Sequence, residues 1–334
     1  MSLSNKYRPA SFNEVVGQQS TIKILKKQLQ TGSIKNSYLF CGSSGSGKTT
    51  LARIFAKELN GVDNSAIELD AASHNGVSEI RELVDSANEK SLAYKYKIYI
   101  IDECHTLTSQ SWQVFLKTIE EPSKYTIFIF CTTEPDKVPD TIKNRCQRFN
   151  ITKIPSSMIC DRLKYICCQE GYTSYEDVCD YISRNCKNQM RDAISILEQT
   201  ADVDNNLNMD DAISISGGIQ YQFMFDIINS IIDRDMQRAI VSLNQLFLNS
   251  IDAKAVAQSL LELELDINKY IVFNTMSQVN TPLYYENEIK NCVNFDNPGA
   301  YHSYILNNLL DLCSIDDIDR NIIEAYIIKM VNGQ

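Results

Sequence analysis

Cysteine and proline are both missing from long stretches of this 334-residue sequence. No proline lies between residues 156 and 281, so that part of the chain lacks the residue that breaks helices most strongly. No cysteine lies between residues 50 and 101, and no two cysteines anywhere stand at Cys-x-x-Cys spacing. Because that spacing is typical of structural zinc sites, we expect no bound zinc.

Long apolar runs are absent as well. No segment approaches the roughly 18 apolar residues that cross a membrane, and the N-terminus lacks the pattern of a secretory signal. The chain has 11 cysteines, but they fall in apparent strands and helices without the short spacings of a disulfide framework. We therefore expect a cytoplasmic protein with reduced thiols and no membrane contact.

Charge is distributed unevenly along the chain. The formal net charge is −10, yet residues 1–154 contain 20 Lys and Arg against 16 Asp and Glu. The remainder contains 12 against 26. A mildly basic first part is able to meet a phosphate backbone, whereas we expect the acidic remainder to face solvent or protein.

Short apolar runs alternate with helical stretches over the first 150 residues. Five of these runs have the length of strands: Tyr38–Cys41, Ile67–Asp70, Lys97–Ile101, Thr126–Cys131 and Arg148–Ile151. The third run is continuously apolar from Ile98 to Ile101, which is typical of a parallel strand buried on both faces. We therefore predict a doubly wound α/β fold with a parallel sheet.

Helical periodicity replaces this pattern after Pro155. One apolar stripe, most simply a buried helix face, is formed by Met224, Ile227, Ile228 and Ile231. Gly217-Gly218 interrupts the helical pattern. We divide the chain into an α/β nucleotide-binding domain over residues 1–154, a small helical lid domain over residues 155–217 and a helical domain over residues 218–334.

The most informative motif is Gly-Ser-Ser-Gly-Ser-Gly-Lys-Thr at residues 42–49, between an apolar strand and a helix. Its glycines let backbone N–H groups point at phosphate oxygens, Lys48 reaches the β- and γ-phosphates, and Thr49 ligates Mg²⁺. The motif predicts a site for ATP and Mg²⁺. The contacts that we expect from the loop come from Gly42, Ser43, Gly45, Ser46, Gly47, Lys48, Thr49 and Thr50.

Two acids follow the apolar strand that ends at Ile101. Asp102 is suited to hold Mg²⁺, and Glu103 is suited to polarise the water that attacks the γ-phosphate. Thr133 follows the next strand and can contact the γ-phosphate or this water, although paired threonines are also common in turns. Arg145 and Arg191 can each stabilise phosphate charge, but from spacing alone a surface ion pair is the simpler interpretation of both.

Eight short segments occur in an order that resembles one known family. They are Tyr7-Arg8-Pro9, Val16-Gly17-Gln18, the loop at 42–49, Glu68-Leu69-Asp70-Ala71-Ala72-Ser73, Ile101-Asp102-Glu103-Cys104-His105, Leu116-Lys117-Thr118-Ile119-Glu120-Glu121-Pro122, Thr132-Thr133 and Gln189-Met190-Arg191-Asp192-Ala193. Together they resemble the gamma/tau subunits of bacterial DNA polymerase III, which are AAA+ clamp-loader ATPases. The resemblance is dense over residues 5–200 and then fades into helical periodicity.

The resemblance implies a role for each matching residue. Thr133 corresponds to sensor 1, Arg145 to an arginine finger that serves the neighbouring subunit, and Arg191 to sensor 2. The adenine site would be lined by Tyr7, Arg8, Val16 and Gly17. In this family ATP opens a sliding clamp, which then closes around primer–template DNA during replication.

The resemblance also implies an architecture and partners. The family has an AAA+ module with a P-loop and a parallel sheet, then a small helical lid, then an all-helical C-terminal collar. The collar holds a pentameric hetero-oligomer of clamp-loader subunits, and the ATPase is active mainly in that assembly. The implied partners are the other subunits, the sliding clamp and DNA.

Two departures from the family pattern are visible. The finger motif is usually Ser-Arg-Cys, whereas this chain has Asn144-Arg145-Cys146. A four-cysteine zinc module usually precedes the acidic strand end, but residues 50–101 contain no cysteine, so we infer that the module is deleted.

Two stretches are candidates for DNA contact: Ser73–Ser78, which precedes a helix with Arg81, and Thr108–Ser111. Both suit DNA phosphates and ordinary helix capping equally well.

Two other functions fit parts of the sequence. Asp-Glu-Cys-His resembles a helicase motif, but the chain has no room for a second motor domain. A structural clamp-loader subunit like delta-prime would keep Arg145 and show little hydrolysis. The intact Lys48, Thr49, Asp102 and Glu103 favour an ATPase over that alternative.

Overall fold

The computed structural model describes residues 2–87, 89, 94–217, 220–248 and 252–333. Gly218, on which the predicted boundary between the second and third domains depends, lies outside the described residues. The chain forms two compact units. An α/β unit contains Met1–Arg162 and Cys186–Ser195, and a helical unit contains Leu163–Asn185 and Ile196–Gln334. The division into three domains stays a prediction.

The α/β unit is built on five parallel strands. They are β1 Ser37–Cys41, β2 Ala66–Asp70, β3 Lys97–Asp102, β4 Thr126–Thr132 and β5 Gln147–Asn150, in the spatial order β2-β3-β4-β1-β5. Each of the five predicted strands is present, and its ends differ from the prediction by one residue or none. The register pairs Cys41 of β1 with Thr132 of β4 and Asp70 of β2 with Asp102 of β3, so these strand ends lie along one edge of the sheet.

Helices cover both faces of this sheet. In the α/β unit they are α1 Leu3–Lys6, α2 Gln19–Thr31, α3 Lys48–Asn60, α4 Val77–Ala87, α5 Ser109–Glu120 and α6 Asp140–Lys143, with short 3-10 helices at Cys104–Thr106 and Pro135–Lys137. On one face, Phe40 and Ile129 pack against Phe55 of α3. On the other, Phe130 packs with Trp112 of α5. Burial on both faces explains why the central strands are continuously apolar.

The chain beyond Pro155 is helical. Its helices are α7 Ser156–Glu170, α8 Glu176–Asn185, α9 Met190–Val203, α10 Met209–Ile215, α11 Tyr221–Asp233, α12 Met236–Leu248, α13 Ala253–Phe273, α14 Glu286–Val293, α15 Pro298–Cys313 and α16 Arg320–Asn332, with 3-10 turns at Met276–Gln278 and Leu283–Tyr285. The predicted stripe from Met224 to Ile231 is buried in the core that α11 shares with α12, α13, α15 and α16. No helix in the described ranges is long and apolar enough to span a membrane.

A histidine and a glutamate form a buried pair inside the helical unit. Nδ1 of His302 on α15 is 2.8 Å from Oε1 of Glu264 on α13, and both side chains are fully buried. Burial by itself lowers the pKa of His302, but the hydrogen bond and charge of Glu264 outweigh it, so the net shift is upward. Burial raises the pKa of Glu264, which its contacts with His302 and Asn268 only partly offset. The pair therefore holds a proton more tightly than the unfolded chain does.

Candidate functional site

The loop between β1 and α3 is shaped by close backbone contacts. A Cβ added to Gly42 would lie 2.4 Å from the carbonyl oxygen of Ile151, so only glycine fits there. Gly45 has a φ of +67°, and a Cβ there would meet the Cβ of Gln189 at 3.0 Å. The segment that precedes α9 thus packs directly on the loop, which brings the start of that helix to the phosphate-binding motif.

Lys48 is the first residue of α3, and its side chain is folded over the loop. It is only 5% exposed, and its Nζ donates to the carbonyl oxygens of Gly42 and Ser43 at 3.0 Å each. The hydroxyl of Ser46 donates to the same Ser43 carbonyl at 2.7 Å. The ammonium is therefore fixed at the N-terminus of a helix, where the helix dipole also favours an anion.

The two predicted metal ligands touch each other. Oγ1 of Thr49 donates to Oδ2 of Asp102 at 2.7 Å. A hydroxyl and a carboxylate are the oxygen ligands that Mg²⁺ prefers, so the chemistry of this pair fits the metal. The backbone of Asp102 is held as well, because its carbonyl oxygen accepts a bond from the Ala71 N–H at 3.0 Å.

Glu103 has an unusual backbone conformation. Its φ and ψ are 44° and 43°, in the left-handed region that side-chain-bearing residues rarely adopt. Its Oε2 accepts a hydrogen bond from Oγ1 of Thr133 at 3.0 Å. Such conformations persist where the surrounding structure imposes them, often at functional sites. The predicted catalytic carboxylate and the predicted sensor residue are therefore in direct contact.

A cavity of about 190 Å³ lies against the loop. Twelve of the predicted site residues line it: Tyr7, Arg8, Val16, Gly45, Ser46, Gly47, Lys48, Thr49, Thr50, Asp102, Glu103 and Arg191. Five cationic side chains line it against two carboxylates, since Arg53 and Arg162 join Arg8, Lys48 and Arg191. This excess of positive charge suits a polyanion such as a triphosphate.

The cations around the cavity influence one another. The pKa of Arg8 is lowered, first by burial and then by the neighbouring charges of Arg53 and Arg191. Glu68 and Asp102 act in the opposite direction. Bringing an anion into the cavity would relieve this repulsion, so the arrangement favours an anionic ligand.

Five predicted residues do not line the cavity. Gly17 lies next to Val16, which does line it, and Gly42 and Ser43 supply the carbonyl oxygens that hold Lys48. Thr133 donates a hydrogen bond to Glu103, which lines the cavity. Arg145 lies elsewhere, on the surface.

The surface contacts of Arg145 are well defined. Its Nη2 is 2.6 Å from Oε1 of Glu120, and its Nη1 donates to the Thr141 carbonyl oxygen at 2.8 Å. This is the surface ion pair that spacing alone favours. The structure therefore does not bring Arg145 together with the other site residues of its own chain.

Several cavity residues were missed from the sequence. Arg53 lies four residues after Thr49 and so on the same face of α3, a spacing from which it was predictable. Its Nη2 is 2.6 Å from Oε2 of Glu68. Arg162 on α7 donates to the Tyr7 carbonyl oxygen at 3.0 Å, and no sequence pattern signals that contact. The apolar residues Ile154, Met190 and Ile194 complete the lining.

The stretches considered for DNA contact are arranged around the start of α5. Thr108 caps this helix, since its Oγ1 accepts from the Ser111 N–H at 3.1 Å. The Ser111 hydroxyl donates to the Asn75 carbonyl oxygen at 2.9 Å. A groove between α4 and α5 is lined by residues that include Arg81 and Lys117. Capping thus accounts for Thr108, and a role in DNA contact stays a prediction.

In the described part of the chain, no three His, Cys, Asp or Glu side chains are grouped so that they could hold a metal ion. Two cysteines come close, with Sγ of Cys167 and Sγ of Cys179 3.6 Å apart, but they are a pair and not a zinc site. The expected lack of zinc stays a prediction.

Comparisons with known proteins identify similar DNA polymerase III subunits. Residues 62–155 match the family model described as "DNA polymerase III, delta subunit". The chain is 37% identical to the DNA polymerase III subunit tau of Bacillus subtilis, over 73% of this chain and 47% of that protein. It is 32% identical to the DNA polymerase III subunit gamma of Buchnera aphidicola subsp. Schizaphis graminum, over 73% of each chain. It thus spans about half the length of the Bacillus relative.

Solved structures share the fold. The Thermotoga maritima RuvB Holliday junction branch migration motor superposes with a TM-score of 0.53 at 19% identity, over 72% of this chain and 84% of that one. At this level of sequence identity, the similarity is evidence for the fold alone. Together with the five-stranded parallel sheet and the helical C-terminal region, it confirms the predicted AAA+ fold class.

Proposed function

Because this chain belongs to the gamma/tau family of DNA polymerase III subunits, we propose that it is an ATP-hydrolysing clamp-loader subunit. It helps to open a sliding clamp and to place it on primer–template DNA during replication. Its partners are the other subunits of a pentameric ring, the clamp and DNA. The residues after Pro155 serve as a lid over 155–217 and as a collar over 218–334 that joins the subunits.

The observation that carries this proposal is the composition of the cavity. The phosphate loop, the acidic end of β3 and the start of α9 come from three separate parts of the chain, and all three line it. Lys48 and the loop N–H groups bind the β- and γ-phosphates. Arg191, which opens α9, contacts the γ-phosphate from the other side of the cavity.

The hydrolytic step follows from the end of β3. Thr49 and Asp102 would hold Mg²⁺, which would supply positive charge to neutralise the phosphates. Glu103 orients the attacking water, and Thr133 fixes the carboxylate of Glu103 through Oε2. The adenine lies against the N-terminal segment, where Tyr7, Arg8 and Val16 line the cavity.

Arg145 acts on a different nucleotide. It is exposed and lies away from the cavity of its own chain, which suits a residue that reaches the γ-phosphate held by a neighbouring subunit. Both side chains of its ion pair with Glu120 are exposed, so breaking this pair to form a phosphate contact costs little free energy.

A second candidate function is a nucleotide-binding structural subunit that hydrolyses little ATP. The match of residues 62–155 to the delta-subunit model favours it. Lys48, Thr49, Asp102 and Glu103 are the complete set needed for hydrolysis, so we favour the ATPase.

Two variants separate these functions when hydrolysis is measured in the clamp-loader assembly with clamp and primed DNA. Lys48→Ala should weaken ATP binding and abolish hydrolysis. Glu103→Gln should bind ATP as the parent does and turn over at least about 100-fold more slowly, since it loses only the water-orienting carboxylate. A parental assembly that binds ATP but turns over no faster than the Glu103→Gln assembly would favour the structural subunit.

A further inference from the structure

A histidine lies between two carboxylates beside the cavity. Nδ1 of His105 is 3.4 Å from Oε2 of Glu103, and its Nε2 is 3.2 Å from Oε1 of Glu134. The His105 side chain is only 12% exposed, whereas Glu103 and Glu134 are 35% and 47% exposed. A mostly buried imidazole thus connects a carboxylate that lines the cavity with one on the surface.

We propose that His105 is a positioning residue for Glu103, holding its carboxylate at the angle that orients the attacking water. This inference rests on the proposed ATPase function. His105 is not a catalytic residue, because it does not line the cavity and acts only through Glu103.

The position of the ring is fixed from three sides. His105 lies in the 3-10 helix Cys104–Thr106, which Thr106 secures by donating its hydroxyl to the Glu103 carbonyl oxygen at 2.9 Å. Nδ1 is also 3.2 Å from Oγ1 of Thr132, which in turn accepts from the Glu134 N–H at 3.0 Å. The ring therefore ties the end of β3 to the end of β4.

The donor pattern of the ring matches its surroundings. Carboxylates only accept hydrogen bonds, and one lies near each ring nitrogen, so whichever nitrogen carries the N–H has a carboxylate oxygen within 3.4 Å.

The carboxylate of Glu103 needs a second contact because little else holds it in place. Its left-handed backbone is a strained conformation, and a glutamate side chain that is about one-third exposed has several rotamers open to it. Thr133 and His105 both contact Oε2, so they anchor the carboxylate through that oxygen. Oε1 is then the oxygen that we assign to the attacking water.

The test is a double-mutant cycle in the assembled clamp loader with clamp and primed DNA. His105→Ala, Glu103→Gln and the double variant are compared by single-turnover hydrolysis, with ATP affinity measured separately by a fluorescent nucleotide. We expect His105→Ala to lower the hydrolysis rate about 10- to 100-fold, because a small misplacement of a catalytic group has that effect. ATP affinity should change less than about twofold. In the Glu103→Gln background the same substitution should have no further effect.

Two more variants distinguish loss of the His105 contact from a general folding defect. His105→Gln keeps an N–H donor near Glu103 and should recover part of the lost rate. Glu134→Gln removes the surface carboxylate from the far side of the ring and should lower the rate by about two- to fivefold, as expected for one partly exposed contact. The matched control is Asp136→Asn, an exposed carboxylate in the same loop, which should turn over at the parental rate.

The outcomes separate the two proposals. A parental rate in His105→Ala, or an equal loss in the parental and Glu103→Gln backgrounds, overturns the positioning role while leaving the ATPase intact. No recovery in His105→Gln together with a parental rate in Glu134→Gln overturns it as well. A parental assembly that hydrolyses no faster than Glu103→Gln overturns the proposed ATPase function, and the positioning role falls with it.

Discussion

The hydroxyl of Thr49 donates to Oδ2 of Asp102 at 2.7 Å, which joins the start of α3 to the end of β3. These residues are 53 positions apart in sequence. The bond places a hydroxyl and a carboxylate side by side, which is the arrangement that a Mg²⁺ ion bound to a nucleotide requires.

The first prediction concerns this pair. Asp102→Asn keeps an oxygen that accepts from Thr49 but removes the negative charge. ATP should therefore still bind, and Mg²⁺ should tighten its binding much less than in the parent. Titrating a fluorescent ATP analogue with and without Mg²⁺ measures this difference. An unchanged Mg²⁺ effect would mean that Asp102 does not hold the metal.

The second prediction concerns Arg53. Arg53→Ala should weaken ATP binding about 3- to 10-fold, because a charged but partly exposed contact is lost. Glu68→Gln should strengthen binding slightly, since it frees Arg53 from its ion pair at 2.6 Å. Lys57→Ala is the matched control, as Lys57 lies one turn further along α3, away from the cavity lining, and pairs with Asp63. Equal affinities in Arg53→Ala and Lys57→Ala would contradict the assignment.

The third prediction concerns Arg145. Arg145→Ala should leave the ATP affinity of the isolated chain nearly unchanged. In the assembly it should lower the hydrolysis rate by a large factor, since arginine fingers contribute about 10³–10⁵ in rate. Mixing Arg145→Ala chains with Lys48→Ala chains should restore part of the activity, because an intact loop then meets an intact finger. If such mixed rings form and stay inactive, Arg145 does not act across subunits.

The fourth prediction is the absence of zinc. Metal analysis of reduced, chelator-washed protein should find far less than one zinc per chain, because Cys-x-x-Cys spacing is missing throughout. A stoichiometric amount of zinc would require a site assembled from cysteines distant in sequence.

The fifth prediction concerns Glu264 and His302. The pKa values of both residues are raised in the folded protein, so near neutral pH the folded state binds more protons than the unfolded state. The contribution of the pair to stability should therefore be greatest below the ordinary pKa of histidine and should fall as pH rises through the raised pKa of His302. Chemical denaturation at several pH values measures this slope.

Variants of Glu264 test whether this pair causes the pH dependence of stability. Glu264→Ala should destabilise the protein by about 3–5 kcal/mol, because it leaves a buried histidine without its partner. Glu264→Gln should destabilise the protein less than Glu264→Ala does, and it should make stability depend less on pH. Lys290→Ala, which breaks an exposed ion pair with Glu286, is the control and should change neither quantity appreciably. A pH slope that survives in Glu264→Gln would assign the effect to other groups.

Some of this protein follows from the sequence by itself. The central strands were predictable because a parallel strand buried on both faces must be largely apolar, and β4 is buried throughout its length. The phosphate loop was predictable because its glycines, Lys48 and Thr49 have to be adjacent to surround a phosphate. Both patterns are local, so they are visible without any knowledge of how the chain folds back on itself.

Other features were decided only by the tertiary structure. The contact of Gln189 with Gly45, the bond from Arg162 to Tyr7 and the bridge from Glu103 through His105 to Glu134 all join residues from different elements. Local periodicity carries no information about such pairs, because it reports which face of an element is buried and not which element lies against it. Strand order and register brought the ends of β3 and β4 together, and that packing gave Glu103 its neighbours.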